Sequence, residues 1–316
     1  MLNLKQTGIT LLELIISLAI GVFLLGGVTA AWMAMRTSTT ETVVLSELQQ
    51  NGRMAISMLT ADIQQAGFRG MLPSFLGAGM TAPAPFASDC NWGLNGGSFP
   101  QAALGNFPTL WGRTMGAGGN AIGCVTNAAA NSDIIQIKRG AGPAVAPGAL
   151  QATRYYLESN GNQGVIFAGP AGAAGLERGE IWPYLHHVYF VTNENFDGTM
   201  VPVLARMELQ NAGGPVMQRA MLLDGIERIR FYYGVDLNND FEIDSYLAAN
   251  NMPASLWQAD ARVMAVKVVV LVRASRADAN YTNSSSYDLG DGVAYTPNDN
   301  FRRMLFSTTV SVTNPQ

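Results

Sequence analysis

The densest run of residues able to do chemistry is Asp236-Leu237-Asn238-Asn239-Asp240-Phe241-Glu242-Ile243-Asp244, with a side-chain oxygen at every second position. A calcium loop needs this pattern, because the hard cation takes about six to eight oxygens from a chain curling around it. The fit to a helix–loop–helix calcium site is partial. Phe241 stands where a glycine makes the sharp turn, and Leu247 stands where the bidentate carboxylate belongs. The same residue types favour turns on their own. Asp236, Asn238, Asp240, Glu242 and Asp244 are therefore candidates for calcium or for an acidic hairpin turn after the strand-like run 226–235. No other cofactor is implied.

The remaining chemical groups do not assemble into a catalytic set. His186 and His187 are adjacent on a predicted strand and point to opposite faces, so they cannot chelate one ion together. One is expected to be packed and the other solvated. Two cysteines and two histidines exclude thiolate clusters and leave little for zinc. Gly-x-Ser-x-Gly, His-Glu-x-x-His and Cys-x-x-Cys do not occur. The glycine-rich stretch 116–123 lacks the Lys-Ser/Thr pair of a phosphate-binding loop and follows no clear strand. The expectation is a protein that is not an enzyme. With a net charge of −4, a pI near 5.2 and no basic run longer than two residues, no nucleic-acid partner is expected either.

Charged residues make up 13% of the chain, about half the ~25% of an average soluble domain. Part of the deficit lies in Ile9–Met35, an apolar run whose one charge is Glu13. The run exceeds the ~20 residues that span a hydrocarbon core as a helix. It is also too long for the ~7–15-residue apolar core of a secretory signal peptide. A carboxylate at such depth costs ~2.5–3.5 kcal/mol on insertion scales, so Glu13 needs a partner or a purpose.

Gly8-Ile9-Thr10-Leu11-Leu12-Glu13 resembles the processing motif of type IV prepilins. That resemblance implies cleavage after Gly8 by a prepilin peptidase in the inner membrane. It also implies methylation of the new terminal amine at Ile9, where the family usually has phenylalanine. In an assembled filament, Glu13 would pair with the terminal amine of a neighbouring subunit. Pairing removes an isolated charge from apolar surroundings and so favours one axial register. Tyr233-Gly234-Val235-Asp236 with the Asp/Asn-rich stretch after it, and the segment opening Phe301-Arg302-Arg303, are similar to PilW-type minor pilins.

Beyond Arg36 the chain turns polar but keeps helical spacing. Val44, Leu48, Ala55, Leu59, Ile63 and Ala66 form a one-sided apolar stripe that ends at Gly67. Thirteen glycines then punctuate 67–132, which reads as long loops with room for short strands. Cys90 and Cys124 lie there. A prepilin head faces the periplasm, where thiols oxidise, so a disulfide is the expected state and two unpaired cysteines the alternative. From Ser132 onward, period-two runs predict strands around Ile135 and Ile137, and at 152–158, 186–192, 201–209, 226–235, 262–274 and 306–312. The run VMAVKVVVLV is apolar on both faces and is expected to be a central strand, with the amino-terminal helix on one side.

The expected fold is α+β and pilin-like: residues 1–8 a leader, 9–66 a long helix with 9–35 transmembrane, and 67–316 a β-rich periplasmic head. The resemblance implies a minor pilin of type IV pilus assembly, acting in a priming or tip complex. Its partners would be other minor pilins, the major pilin, the prepilin peptidase and the inner membrane. A J-type minor pseudopilin of a type II secretion system shares the same processing. A membrane-anchored periplasmic enzyme or binding protein is a further alternative.

Overall fold

The computed structural model describes residues 10–77, 79–93, 95–116, 122–257 and 262–314, apart from the side chains of Arg36, Thr37, Ser38 and Thr40. Gly8 and Ile9, and most of the glycine-rich stretch 116–123, lie outside the described residues. The chain divides into two compact units between Glu47 and Leu48.

Helix α1 runs from Leu11 to Gln64. Its segment Leu11–Met35 has a mean hydropathy of 2.4 and is entirely unburied, as a span that meets lipid should be. Gly26 and Gly27, the weak point by propensity, remain helical, with open space around each. Three hydroxyls in and just beyond this stretch bond back to carbonyls of their own helix. Ser17 donates to Glu13 O at 2.7 Å, Thr29 to Leu25 O at 2.9 Å and Thr39 to Met35 O at 2.9 Å. Lipid offers no acceptor, so a polar side chain satisfied by its own helix is cheap to insert.

In the second unit the stripe does what its spacing predicts. Leu48, Ala55, Leu59, Ile63 and Ala66 are all buried. The helix stops at Gln64, two residues short of the expected Ala66. Gly67 follows at φ +76°, the left-handed geometry in which helices commonly close and which glycine adopts without a steric penalty.

The strands are β1 (Met80–Thr81), β2 (Leu110–Thr114), β3 (Asp133–Gly140), β4 (Tyr155–Ser159), β5 (Gly164–Ala168), β6 (Glu180–Phe196) and β7 (Thr199–Asn211). They continue as β8 (Pro215–Asp224), β9 (Ile226–Asp236), β10 (Ser245–Ala248), β11 (Arg262–Arg273), β12 (Tyr287–Asp288), β13 (Ala294–Tyr295) and β14 (Arg303–Ser311). An eight-stranded sheet runs β1-β5-β4-β6-β3-β2, with β7 and β8 extending from β6. β6 shares one edge between two partners: β4 pairs with Glu180–Tyr184 and β7 with His187–Phe196. β3 takes the opposite edge from Tyr184 to Tyr189.

A second, four-stranded antiparallel sheet has the order β10-β9-β11-β14. β11 is internal and, Lys267 apart, buried or half-buried along its length, as its apolar run predicts. β14 forms one edge, and the ring of Phe306 lies so close to Gly52 of α1 that a side chain at position 52 would fit only if the ring moved. The two sheets are joined where Asp133 accepts from Phe231 N and Arg230 Nη1, each at 2.8 Å. The fold is thus an amino-terminal apolar helix with a β-rich head, as expected. Among the described residues, three strands of four or more residues were not predicted, β5, β8 and β10, and β2 is a short strand inside the loop-rich stretch.

Candidate functional site

Three features carry the residues singled out above: the start of α1, the junction of its last turns with the head, and the acidic loop. At the start, Thr10 and Glu13 form a reciprocal cap. Thr10 N and Thr10 Oγ1 donate to Glu13 Oε2 and Glu13 N donates to Thr10 Oγ1, each at 3.3 Å. This is a capping box, with Thr/Ser and Glu three apart before an apolar run. The motif that resembles a prepilin junction therefore also starts the helix. Glu13 is exposed, so its carboxylate is within reach of a second chain.

At the other end, Asp62 of α1 is buried against the head and accepts from three side chains. Arg139 Nε lies at 2.5 Å from Oδ1, and His187 Nδ1 and Tyr189 Oη lie at 2.6 and 2.8 Å from Oδ2. Burial alone would raise the Asp62 pKa. The hydrogen bond and charge of His187, with the Arg139 guanidinium, outweigh it and hold the carboxyl well below the usual carboxylate range. Arg139 also reaches Gln65 Oε1 at 2.6 Å. Nothing in the spacing of α1 announces this lock; an aspartate beside the stripe reads as a solvated face.

The other face of the large sheet carries a second polar chain. Ser98 Oγ donates to Asp89 Oδ1 at 2.6 Å and stands 2.6 Å from His186 Nδ1. His186 Nε2 lies 2.5 Å from Gln136 Nε2, and Gln136 Nε2 donates to Cys90 O at 2.8 Å. Lys138 is fully buried, donates to Gly97 O at 2.9 Å and sits 3.9 Å over the Phe107 ring. Burial pushes its pKa down to about 7 against the pull of Asp89. The residue types of a hydrolase triad meet here, but the serine stands between acid and histidine, and all three are buried. A triad needs the histidine in the middle and an accessible hydroxyl. This chain of bonds instead pins the segment around Cys90 to the sheet.

Cys90 and Cys124 form a disulfide, with Cα atoms 4.7 Å apart. The histidine expectation is half corrected. The two rings do serve opposite faces, but neither is solvated: His186 is fully buried and His187 is 7% exposed. Each has a buried polar partner that alternation alone could not reveal.

The acidic loop joins β9 to β10. Asp236 is buried and accepts from Asn239 N at 2.7 Å and Phe241 N at 3.0 Å. Asp244 Oδ2 accepts from Leu237 N at 2.6 Å, Asn238 Oδ1 from Asp240 N at 2.9 Å, and Asp240 Oδ1 from Glu242 N at 2.8 Å. Asn239 and Phe241 take φ of +63° and +69°. Phe241 thus adopts the backbone that a glycine would supply in a calcium loop, and it lies under Arg262, 4.6 Å from ring centroid to guanidinium carbon. Among the described residues, no group of three or more His, Cys, Asp or Glu side chains is placed to hold a metal ion.

Two families match this chain. The family of type IV pilus-assembly protein W matches residues 188–314, from the middle of β6 to just past β14. The prokaryotic N-terminal methylation motif matches residues 3–29. No curated protein and no solved structure is significantly similar. The two matches, with the apolar helix and the β-rich head, are consistent with a PilW-family, type IV prepilin-like protein.

Proposed function

We propose that the chain is a minor pilin of type IV pilus assembly, cut after Gly8 and working in the priming or tip complex of the filament. The observation that carries this is the coincidence of the methylation-motif match at 3–29 with the PilW match at 188–314. In this reading α1 holds the subunit in the inner membrane with the head in the periplasm. The helix then exchanges lipid for neighbouring helices, and Glu13 sets axial register against the amine of an adjoining subunit. The head, large for a repeating filament unit, favours a low-copy position beside other minor pilins and the major pilin. The PilW match favours this over a J-type pseudopilin of a secretion system.

Substituting Gly8 tests it. In cells with the prepilin peptidase the natural chain is expected to be shorter than its precursor, and Gly8→Val to remain at precursor size by intact mass. Equal sizes with and without the peptidase would remove the chain from this class. Loss of exoprotein secretion with normal pili in a deletion strain would move it to the secretion machine.

For the acidic loop we propose a turn and not a calcium centre. Five of its side-chain oxygens accept from the loop's own amides, and a cation would compete with those bonds. Isothermal titration of the full chain in detergent with calcium chloride is expected to show no binding tighter than about 1 mM. Saturable binding below that restores Asp236, Asn238, Asp240, Glu242 and Asp244 as calcium ligands.

A further inference from the structure

The loop between β9 and β10 is built inside out. Oxygens of Asp236, Asn238, Asp240 and Asp244 accept from the loop's own amides. Leu237, Phe241, Ile243 and Tyr246 are instead exposed, Phe241 by 68%. Single exposed apolar residues are ordinary on a protein surface. Four within the ten residues 237–246 form a cluster of the kind that marks an interaction surface. Ile243 and Tyr246 both lie over Gly234, where a Cβ would stand 3.1 Å from the first and 3.0 Å from the second.

Phe241 is held in place at a cost. A bulky side chain at a φ of +69° is sterically strained, and the loop's internal bonds keep it there with the Arg262 guanidinium over the ring. An apolar group fixed in its exposed position before a partner arrives loses little conformational entropy on contact, which favours binding. Two further observations describe what fits. Asp240, Glu242 and Asp244 are exposed among the apolar side chains and outnumber Arg262, so the surface is acidic. It suits lysine or arginine and repels the anionic face of a bilayer. β10 is also the edge strand of its sheet, with no strand on its outer side among the described residues.

An open edge offers main-chain bonds to an added strand, and the side chains beside it decide which strand is accepted. We propose that the β10 edge and the apolar loop before it dock an extended segment of another protein, one in which apolar residues are interspersed with lysine or arginine. Its main chain pairs with β10, its apolar side chains cover Phe241, Ile243 and Tyr246, and its cations meet Asp240 and Glu242.

Calorimetry on the full chain in non-ionic detergent tests this with two end-blocked peptides, one of four Lys-Val repeats and one of four Glu-Val repeats. The Lys-Val peptide is expected to bind with a Kd of about 100 µM or tighter, and the Glu-Val peptide at least about tenfold more weakly. Phe241→Gly is expected to weaken the Lys-Val peptide about tenfold without lowering the unfolding temperature, because glycine takes a φ of +69° freely. No saturable binding of the Lys-Val peptide overturns the surface. Binding indifferent to Phe241→Gly also overturns it, being no more than the attraction of a basic peptide to an acidic chain. Equal binding of the Glu-Val peptide overturns the basic partner. Dimers of the full chain that Phe241→Gly dissociates in sedimentation would give the face to a second copy. Binding of dihexanoyl-phosphatidylglycerol that the same variant abolishes would give it to lipid, and either result overturns the proposal. The readout is binding by the purified chain, so its failure would not touch the pilus reading, nor the reverse.

Discussion

Asp62→Ala is expected to cost about 3–5 kcal/mol of unfolding free energy, because it strips a buried charge network of its one carboxylate. Arg139, His187 and Tyr189 all converge on that group and would be left without their acceptor. Urea unfolding of the full chain in detergent reads the loss. Hydrogen exchange locates it, with faster exchange expected in the last turns of α1. Asp62→Asn keeps the shape and one acceptor oxygen, and is expected to fall between the two. The pH dependence has a definite sign. The folded pKa of Asp62 lies below its ordinary value of 3.8, so the unfolded chain takes up that proton more readily. Its contribution is complete at neutral pH and is lost as pH falls below the ordinary value toward the folded one. The gap between natural protein and Asp62→Ala should therefore be widest near neutrality and narrow below about pH 4. A loss under about 1 kcal/mol, the level of an exposed ion pair, would show that the junction is held by its apolar stripe alone.

Removing the disulfide is the second large effect. Cys90→Ser with Cys124→Ser is expected to lower stability by about 2–5 kcal/mol, the usual cost of losing a native bridge from a secreted domain. The bridge closes a segment whose ends are 34 residues apart and in which β2 is the one strand longer than two residues among the described residues. Limited proteolysis should find new cuts between the two positions in the double variant and in natural protein treated with reductant. The strands from β6 onward should keep their amide protection, because their ladder hydrogen bonds run to β3, β4 and one another. Unchanged proteolysis would mean that the bonds from Gln136 and Ser98 hold the segment unaided.

Much of the architecture was legible because its signals are local. α1 announces itself through length without charge and then through a stripe of six residues, of which Val44 is half-buried and the five from Leu48 to Ala66 are buried. β3, β7, β9, β11 and β14 follow from period-two or continuously apolar runs. β8 escaped notice because it pairs on one side only and several of its residues are half-buried, so PVMQRAMLLD carries no clean alternation. β2 is short and sits among glycines and prolines that read as turns. The polar locks were beyond reach for another reason. Asp62 meets His187, and Asp89 meets His186 through Ser98, only after distant segments have folded together. The prepilin-like motif lies at the edge of the described chain, and its legibility rests on sequence alone.

The packing of α1 has a consequence for the order of events at the ribosome. Gly52 lies against Phe306 of β14, and Gln64 O accepts from Thr313 N at 2.9 Å. The helix precedes β14 in the chain, with the other described strands of the head between them. Until β14 has emerged, the stripe on α1 lacks part of its cover, and a head truncated before Arg303 could not supply it. Such a fragment would present apolar helix surface to quality-control proteases in place of a finished subunit. Closing α1 with β14 thus ties the helix to a strand that is made only after the described strands between them.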